Sequence, residues 1–312
     1  MTTPQTNAPN TPNSTLTRPT ALGHRLRALM DQGIVAMPGS FNGLCALAVA
    51  QAGFNATYIS GAATSVCAGV PDVGLLTMEH FCRVIREVAS ASNLPLIADA
   101  DTGFGEAEMV RRTVIEYSRA GAAGLHLEDQ QFPKRCGHLD GKALVPSDHM
   151  VEKVQWAAKA AREIGGGFII CARTDARGVE GFDAAVARAK AYVEAGAEMI
   201  FPEGLTNEDE FASFAKALRG ALPGKRIYLL ANMTEFGKTP IITLDRFKAL
   251  GYDCVIYPVS LLRVAMGAVS KALSELKAQG SVAPFLDRMQ TRKELYELVR
   301  YTPGVAWETP AR

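Results

Sequence analysis

The chain lacks long apolar runs and carries almost no net charge. None of its hydrophobic stretches approaches the roughly twenty residues that a transmembrane helix needs, so we predict a soluble protein with no membrane partner. A formal net charge of +1 in 312 residues offers no general field that would attract nucleic acid. Small acidic metabolites remain possible ligands, because a local cluster of cations is enough to bind them.

Targeting and redox signals are also missing. Residues 1–20 are rich in Thr, Pro and Asn, and have neither the apolar core of a secretory signal nor the repeated arginines of a mitochondrial presequence. We predict that they form a disordered tail on a cytoplasmic protein. The six cysteines show no CxxC spacing, so we expect reduced thiols rather than disulfides.

Short hydrophobic segments that end in polar groups recur along the chain, with amphipathic helical runs between them. There are eight such segments, which begin at Ile34, Ala52, Pro95, Ala120, Phe168, Ala195, Ile227 and Leu250. This pattern predicts repeated βα units that close into an α/β (β/α)₈ TIM barrel over residues 21–280. Residues 281–312 form an additional C-terminal helical segment. An open doubly wound sheet is less consistent with the sequence, since no GxGxxG follows the first strand.

Polar side chains stand at nearly every predicted strand end. They are Tyr58, Ser60, Asp99, Asp101, His126, Glu128, Arg173, Glu203, Asn232, Thr234 and Ser260. A single polar end is more often a helix cap. The carboxyl ends of barrel strands meet at one mouth, however, so the set together predicts an active site there.

Three of these strand-end groups are carboxylates: Asp99, Asp101 and Glu128. An oxygen-rich set without a Cys or His cluster suits Mg²⁺, or Mn²⁺ in its place. A DxD pair alone is weak evidence, because it is also common in solvated turns. Arg173 cannot lose its proton and is a candidate fork for a substrate carboxylate, or else an ion-pair partner of Glu203 or Asp175.

Two kinds of barrel chemistry are disfavoured by what the strand ends lack. No lysine ends a strand, which weakens a Schiff-base mechanism. No glycine-rich phosphate cradle follows the seventh or eighth strand. The substrate is therefore expected to be an anion without a phosphate.

The segment PKRCGHLDGK, residues 133–142, is either a solvated surface loop or a mobile catalytic loop. In the second interpretation Lys134, Arg135 and His138 lower the pKa of Cys136 towards neutrality, and Gly137 and Gly141 serve as hinges. Its place after the fourth strand puts the segment above the barrel mouth.

Several motifs occur in order along the chain: SGAA at Ser60, DADTGFG at Asp99, HLEDQ at His126, KRCGH at Lys134, ARTDA at Ala172, ANMTEFG at Ala231 and MQTR at Met289. Together they resemble the isocitrate lyase and phosphoenolpyruvate mutase superfamily, over about residues 25 to 301. Within it the chain is most similar to the 2-methylisocitrate lyases, because KRCGH is specific for the carbon–carbon lyase branch.

The resemblance implies Mg²⁺-dependent cleavage of 2-methylisocitrate to pyruvate and succinate in propionate catabolism, by a retro-aldol step. Cys136 would be the acid, with Arg173 also catalytic and Tyr58 a candidate base. The metal site would comprise Asp99, Asp101 and Glu128. The substrate pocket would comprise Ser60, Gly61, Ala62, Asp72, Gly137, His138, Arg173, Glu203, Asn232, Thr234, Arg263 and Arg292. A homotetramer with a swapped C-terminal helix would complete the enzyme.

The first motif departs from the family pattern. Typical 2-methylisocitrate lyases often read SGGG where this chain reads SGAA, so Ala62 and Ala63 add two methyl groups near the substrate. The exact substrate is therefore open. A sister lyase or decarboxylase that acts on a substituted malate or on oxaloacetate is one alternative. A catalytically silent barrel that binds a dicarboxylate is another.

Overall fold

The computed structural model describes residues 19–137, 139–165 and 167–307. Eight strands alternate with helices, which confirms the predicted strand count. The strands are β1 Val35–Pro38, β2 Thr57–Ile59, β3 Leu96–Asp99, β4 Gly124–Glu128, β5 Ile169–Thr174, β6 Met199–Pro202, β7 Tyr228–Asn232 and β8 Cys254–Tyr257.

Helices follow the strands and cover the outside of the sheet. They are α1 Pro19–Gln32, α2 Gly43–Gln51, α3 Gly61–Cys67, α4 Met78–Ser92, α5 Ala107–Ala120, α6 Ser147–Glu163, α7 Phe182–Ala195, α8 Glu208–Ala221, α9 Leu244–Ala249, α10 Ser260–Gln279 and α11 Arg292–Leu298. Short 3₁₀ turns span Ala176–Gly178 and Ala283–Arg288. Helix α1 begins two residues inside the predicted tail, and the rest of that tail lies outside the described residues.

All strand pairs are parallel, and the sheet closes on itself. The strand order is β1-β8-β7-β6-β5-β4-β3-β2. Gly39, just after β1, bridges to Tyr58 of β2, and the Ser40 amide donates to the Tyr58 carbonyl at 2.9 Å. The ring is therefore complete, as the barrel prediction requires, and the open-sheet alternative is excluded.

Two hydrophobic layers fix which side chains face the mouth. In β5, Ile169 and Cys171 belong to the cluster inside the barrel, whereas Ile170 and Ala172 belong to the layer under the helices. Because successive strand residues alternate between faces, Arg173 continues the inward row. The same alternation carries Asp99 inward in β3, two residues after Ile97.

The described residues contain no helix long and apolar enough to cross a lipid bilayer. All six cysteines are free thiols, as expected. Cys82, Cys171 and Cys254 are buried, whereas Cys67 is exposed.

Candidate active site

A small cavity lies at the carboxyl ends of the strands. Its volume is about 90 Å³, well below the roughly 300 to 1,000 Å³ of ordinary ligand pockets. It is lined by Tyr58, Ser60, Ala62, Asp72, Asp99, Lys134, Arg135, Cys136, Gly137, Arg173, Phe201, Glu203, Asn232, Thr234, Ile256, Pro258, Val259 and Arg263. The strand-end groups and the loop after β4 therefore converge on one cavity.

The loop over residues 133–137 and 139–142 covers this cavity, and Gly137 is its closest point. A Cβ added to Gly137 would lie 2.4 Å from Arg173 Nη2 and 2.4 Å from Glu203 Cγ. No side chain fits at this position. The main chain of the loop is thus seated directly on two strand-end residues, and substrate entry requires the loop to move.

Gln130 fixes the other end of the same loop. Its Oε1 accepts a hydrogen bond from the Arg135 amide at 2.9 Å, and its Nε2 donates to the Arg135 carbonyl at 2.9 Å. Lys142 Nζ donates to the Gly137 carbonyl and also to Asp175 Oδ1, at 2.8 Å. These contacts hold Cys136 at the cavity wall between two fixed points.

Four carboxylates gather beneath the loop, and the ammonium of Lys134 lies among them. Lys134 Nζ is 2.8 Å from Asp101 Oδ1 and also contacts Asp72 Oδ1. The expected role of Lys134 was to lower the pKa of Cys136. The structure shows that its ammonium also contacts two carboxylates.

Asp99 and Asp101 lie close together, although only Asp99 belongs to strand β3. Strand β3 ends at Asp99, and Asp101 lies in the following turn with φ of 46°. Asp tolerates this left-handed conformation better than most residues. The Asp101 amide donates to Asp99 Oδ1 at 2.9 Å, and the Gly61 amide donates to Asp99 Oδ2 at 3.0 Å.

Gly61 lies against the same two carboxylates, and this position requires a glycine. A Cβ at this position would lie 2.6 Å from Asp99 Oδ2 and 3.1 Å from Asp101 Oδ1. Of the two alanines that follow, Ala62 lines the cavity, whereas Ala63 is buried in helix α3. The departure from SGGG therefore adds one methyl group to the cavity rather than two.

The surroundings of Glu128 indicate whether a divalent cation would fit this site. Within the described residues both of its carboxylate oxygens are buried without a hydrogen bond, and Arg173 Nη1 lies 3.2 Å from Oε2. Burial raises the pKa of Glu128 well above its usual range, although Arg173 opposes the shift. A cation with its bound water would satisfy these oxygens and keep the carboxylate ionised.

The donor geometry suits Mg²⁺ held mostly through water. Within the described parts of the chain, no three Asp, Glu, His or Cys side chains converge tightly enough to enclose a metal by themselves. Mg²⁺ commonly uses one or two carboxylates and takes its remaining ligands from water and substrate. Burial and the neighbouring charge of Asp99 raise the pKa of Asp101 to about 6, which a bound cation would reverse.

Arg173 is oriented by a network of acidic groups. Its Nε donates to Asp175 Oδ2 at 2.9 Å, and its Nη1 lies 3.2 Å from Glu128 Oε2. Asp175 is fixed in turn by its own amide, which donates to Asp129 Oδ1 at 2.9 Å. The ion pair and the substrate fork are compatible, because Arg173 also lines the cavity.

Tyr58 and His126 form a buried pair at the base of the cavity. The Tyr58 hydroxyl lies 2.7 Å from His126 Nε2, and the two rings stack. Burial raises the pKa of Tyr58 well above its usual range, and burial lowers the pKa of His126 to about 4. Both groups are therefore neutral near pH 7.

The remaining predicted residues differ in their distance from this centre. Asn232 Nδ2 donates to Glu203 Oε2 at 3.1 Å, and Thr234 lines the cavity beside it. Arg263 lines the rim and pairs with Glu235 at 2.9 Å. Arg292 begins helix α11 and does not line the cavity of the single chain. His138 lies outside the described residues.

Some functional contacts were missed because they depend on tertiary structure. From the sequence, Lys134 is expected beside the thiol of Cys136, and His126 has no specific role. The only sequence signal for the Tyr58 and His126 pair was the inward position of both residues on nearby strands.

A family model described as phosphoenolpyruvate phosphomutase matches residues 26–277. A protein named probable 2-methylisocitrate lyase 1, from Corynebacterium glutamicum, is 50% identical over 274 residues, which are 88% of this chain and 87% of that protein. These matches cover the whole barrel.

Solved structures share the fold. A crystal structure of 2,3-dimethylmalate lyase matches with a TM-score of 0.82 and 36% identity, covering 91% of this chain and 92% of the other. A complex of phosphonopyruvate hydrolase with oxalate and Mg²⁺ matches with a TM-score of 0.78 and 32% identity, over 89% and 94% of the two chains.

The neutrality of His126 predicts a pH dependence of stability. Its folded pKa of about 4 lies below the unfolded value of about 6.5, so the stabilisation is complete above pH 6.5 and is lost as the pH falls towards 4. Between pH 7 and pH 5 the native chain should lose about 2 kcal/mol from this group, and His126→Asn should not. Urea unfolding at both pH values measures the difference.

The matched control is His24→Asn, which replaces an exposed histidine of helix α1. It should retain the pH dependence of the parent. An equal loss of stability in the parent and His126→Asn would contradict the neutral assignment.

Proposed function

The chain belongs to the phosphoenolpyruvate phosphomutase family and is a lyase, and we propose that it cleaves 2-methylisocitrate to pyruvate and succinate with a divalent cation. One observation carries the proposal: the loop seats Cys136 and Gly137 over Arg173 and a cluster of buried carboxylates. The similarity to the Corynebacterium protein, at 50% identity, supports the choice of substrate.

Substrate charge is matched by groups on both sides of the cavity. Arg173 offers its guanidinium to a carboxylate, and Arg263 offers a second cation at the rim. The start of helix α3 at Ser60, Gly61 and Ala62 would bind the carboxylate of the pyruvate half through the Ser60 hydroxyl and the Ala62 N–H, because the Gly61 N–H already donates to Asp99 Oδ2. Glu203, Asn232 and Thr234 provide hydrogen bonds between these ends.

Asp99 and Asp101, with Glu128 and Asp72 close by, would hold the cation, Mg²⁺ or Mn²⁺. When bound, the cation would stabilise the negative charge that develops on the pyruvate half. The protein contributes the geometry: Gly61 admits the carboxylates, and the seated loop excludes water from the reacting carbon.

Two proton transfers are required. Breaking the bond beside the hydroxyl group needs a base for the hydroxyl proton and an acid for the succinate carbanion. We assign the acid to Cys136, which lies on the cavity wall within the seated loop. Tyr58 is the candidate base. Because its hydroxyl is neutral, it would accept the substrate's hydroxyl proton while its own proton passes to His126 Nε2, 2.7 Å away.

A substituted malate is the second candidate substrate. The solved 2,3-dimethylmalate lyase has 36% identity and the same fold, and the Ala62 methyl group narrows the pocket beside the substrate. One methyl group contributes only about 1 to 3 kcal/mol to discrimination between substrates. A silent dicarboxylate-binding barrel would have no need of the thiol, the arginine and the carboxylates that this cavity combines.

The deciding experiment measures the oxo acid released, which is pyruvate from 2-methylisocitrate and 2,3-dimethylmalate and glyoxylate from isocitrate. Oxaloacetate consumption is followed as well, and every assay is run with Mg²⁺ and with excess EDTA. We expect the largest kcat/KM for 2-methylisocitrate, and loss of activity with EDTA that returns when Mg²⁺ is added. Cys136→Ser should be inactive with normal folding.

Negligible turnover of 2-methylisocitrate beside efficient turnover of 2,3-dimethylmalate would overturn the choice of substrate. Turnover of none of the four compounds would instead support the silent barrel.

We further propose that the protein is a homotetramer in which the C-terminal helical segment, residues 281–312, packs on a neighbouring subunit together with helix α10, which precedes it. Helix α10 carries apolar residues at alternating four- and three-residue spacing: Leu262, Met266, Val269, Leu273 and Leu276. Only Leu262 is buried, and Leu273 is 59% exposed. A repeat of this kind is typical of helices that pack along a partner helix.

Light scattering tests this assembly. A tetramer would have four times the mass of the 33.4 kDa chain. Leu273→Glu should reduce the mass, because it places a charge in the apolar row, whereas Lys271→Glu on the same helix should not. A monomeric parent would contradict the proposal. The cytoplasmic location and the role in propionate catabolism remain predictions.

A further inference from the structure

Lys134 is an unexpected residue for a metal site. Its side chain places a positive charge beside the carboxylates that would bind the divalent cation. The residue is 3% exposed. Burial by itself lowers the pKa of its ammonium, but Glu128, Asp99, Asp101 and Asp72 outweigh that effect and raise it. Lys134 is therefore a permanent cation in the seated loop.

The seated loop leaves this ammonium little freedom. Arg135, the next residue, is clamped through both its backbone N–H and C=O by the Gln130 side chain. Three residues further from Lys134, Gly137 rests on Arg173 and Glu203. The position of the ammonium is thus coupled to the position of the loop.

The carboxylates that Lys134 contacts are those that a divalent cation would use. Lys134 Nζ lies 2.8 Å from Asp101 Oδ1. Asp72 contacts the same nitrogen. A cation beside Asp99 and Asp101 would lie within a few ångströms of the ammonium, and like charges so close repel each other strongly in a buried site.

We propose that Lys134 is a positioning residue through which loop seating and metal binding oppose each other until substrate is present. The inference rests on the proposed function, since it concerns the same metal. A bound cation weakens the hold of Asp72 and Asp101 on Lys134, and the loop opens. The substrate then adds carboxylate charge that offsets the excess of cations, and the loop can close with Cys136 in place.

The first test is the affinity for Mn²⁺ without substrate, measured by electron paramagnetic resonance of the free ion. Removal of a neighbouring unit charge should make Lys134→Gln bind Mn²⁺ about tenfold more tightly than the parent. Lys159→Gln is the matched control, because it removes the same charge from an exposed lysine of helix α6, away from the cavity. Its affinity should stay within about twofold of the parent.

The second test is hydrogen exchange of the loop amides in the parent chain, which does not depend on any variant folding. Mg²⁺ alone should speed exchange in residues 133–142, and Mg²⁺ with pyruvate and succinate should slow it. In Lys134→Gln, Mg²⁺ alone should have little effect.

Unchanged or weaker Mn²⁺ binding by Lys134→Gln would overturn the inference, and so would slower loop exchange when Mg²⁺ alone is added to the parent. A parent that binds no Mn²⁺ would overturn both the inference and the metal-dependent function. A parent that binds Mn²⁺ normally but cleaves none of the four compounds would overturn the proposed function alone.

Discussion

The structure depends on the burial of four carboxylates at the barrel mouth. Asp99, Asp101 and Glu128 are nearly inaccessible to solvent, and Asp72 joins them through Lys134. An isolated buried carboxylate is destabilising by several kcal/mol, so each needs a cation, a proton or donated hydrogen bonds. Arg173 offsets part of this charge from strand β5, and Lys134 offsets part from a loop. The first cation is fixed by the fold, whereas the second belongs to the loop that we propose moves. This difference makes the loop sensitive to what the site contains.

The barrel supplies the precision that this arrangement needs. Alternation along β5 points Arg173 inward, and the buried Asp129 and Asp175 hold its guanidinium against rotation. Gly61 gives the carboxylates room, and the left-handed backbone of Asp101 turns its side chain towards the same corner. The barrel residues form a negatively charged site. The loop contributes the proposed acid, Cys136, and the positive charge of Lys134. Binding and proton delivery are thereby carried by different elements of the chain.

Much of this could be predicted from the sequence, because it follows from periodic patterns. The spacing of the strands predicts the barrel. The polar residues at the strand ends, among them Asp99, Arg173 and Asn232, are most of the polar groups that line the cavity. The partner of Lys134 could not be predicted in this way. Lys134 lies in a loop, whereas Asp72 lies in a turn 62 residues earlier and Asp101 in another turn 33 residues earlier. No periodic pattern in the sequence relates these three positions. The same holds for Asp101, whose backbone leaves the strand before its side chain reaches the site.

The central claim is that the loop must seat on Arg173 and Glu203 for the reaction to occur. Gly137→Ala tests it most directly, because the added methyl group would meet both residues at 2.4 Å. Gly178→Ala is the control, since its nearest neighbour would be 3.7 Å away. We expect kcat for 2-methylisocitrate to fall at least about 100-fold in Gly137→Ala, as small misplacements of catalytic groups do, while Mn²⁺ binds at least as tightly as in the parent. A kcat within about twofold of the parent would contradict the account, since one methyl group would then leave proton delivery intact.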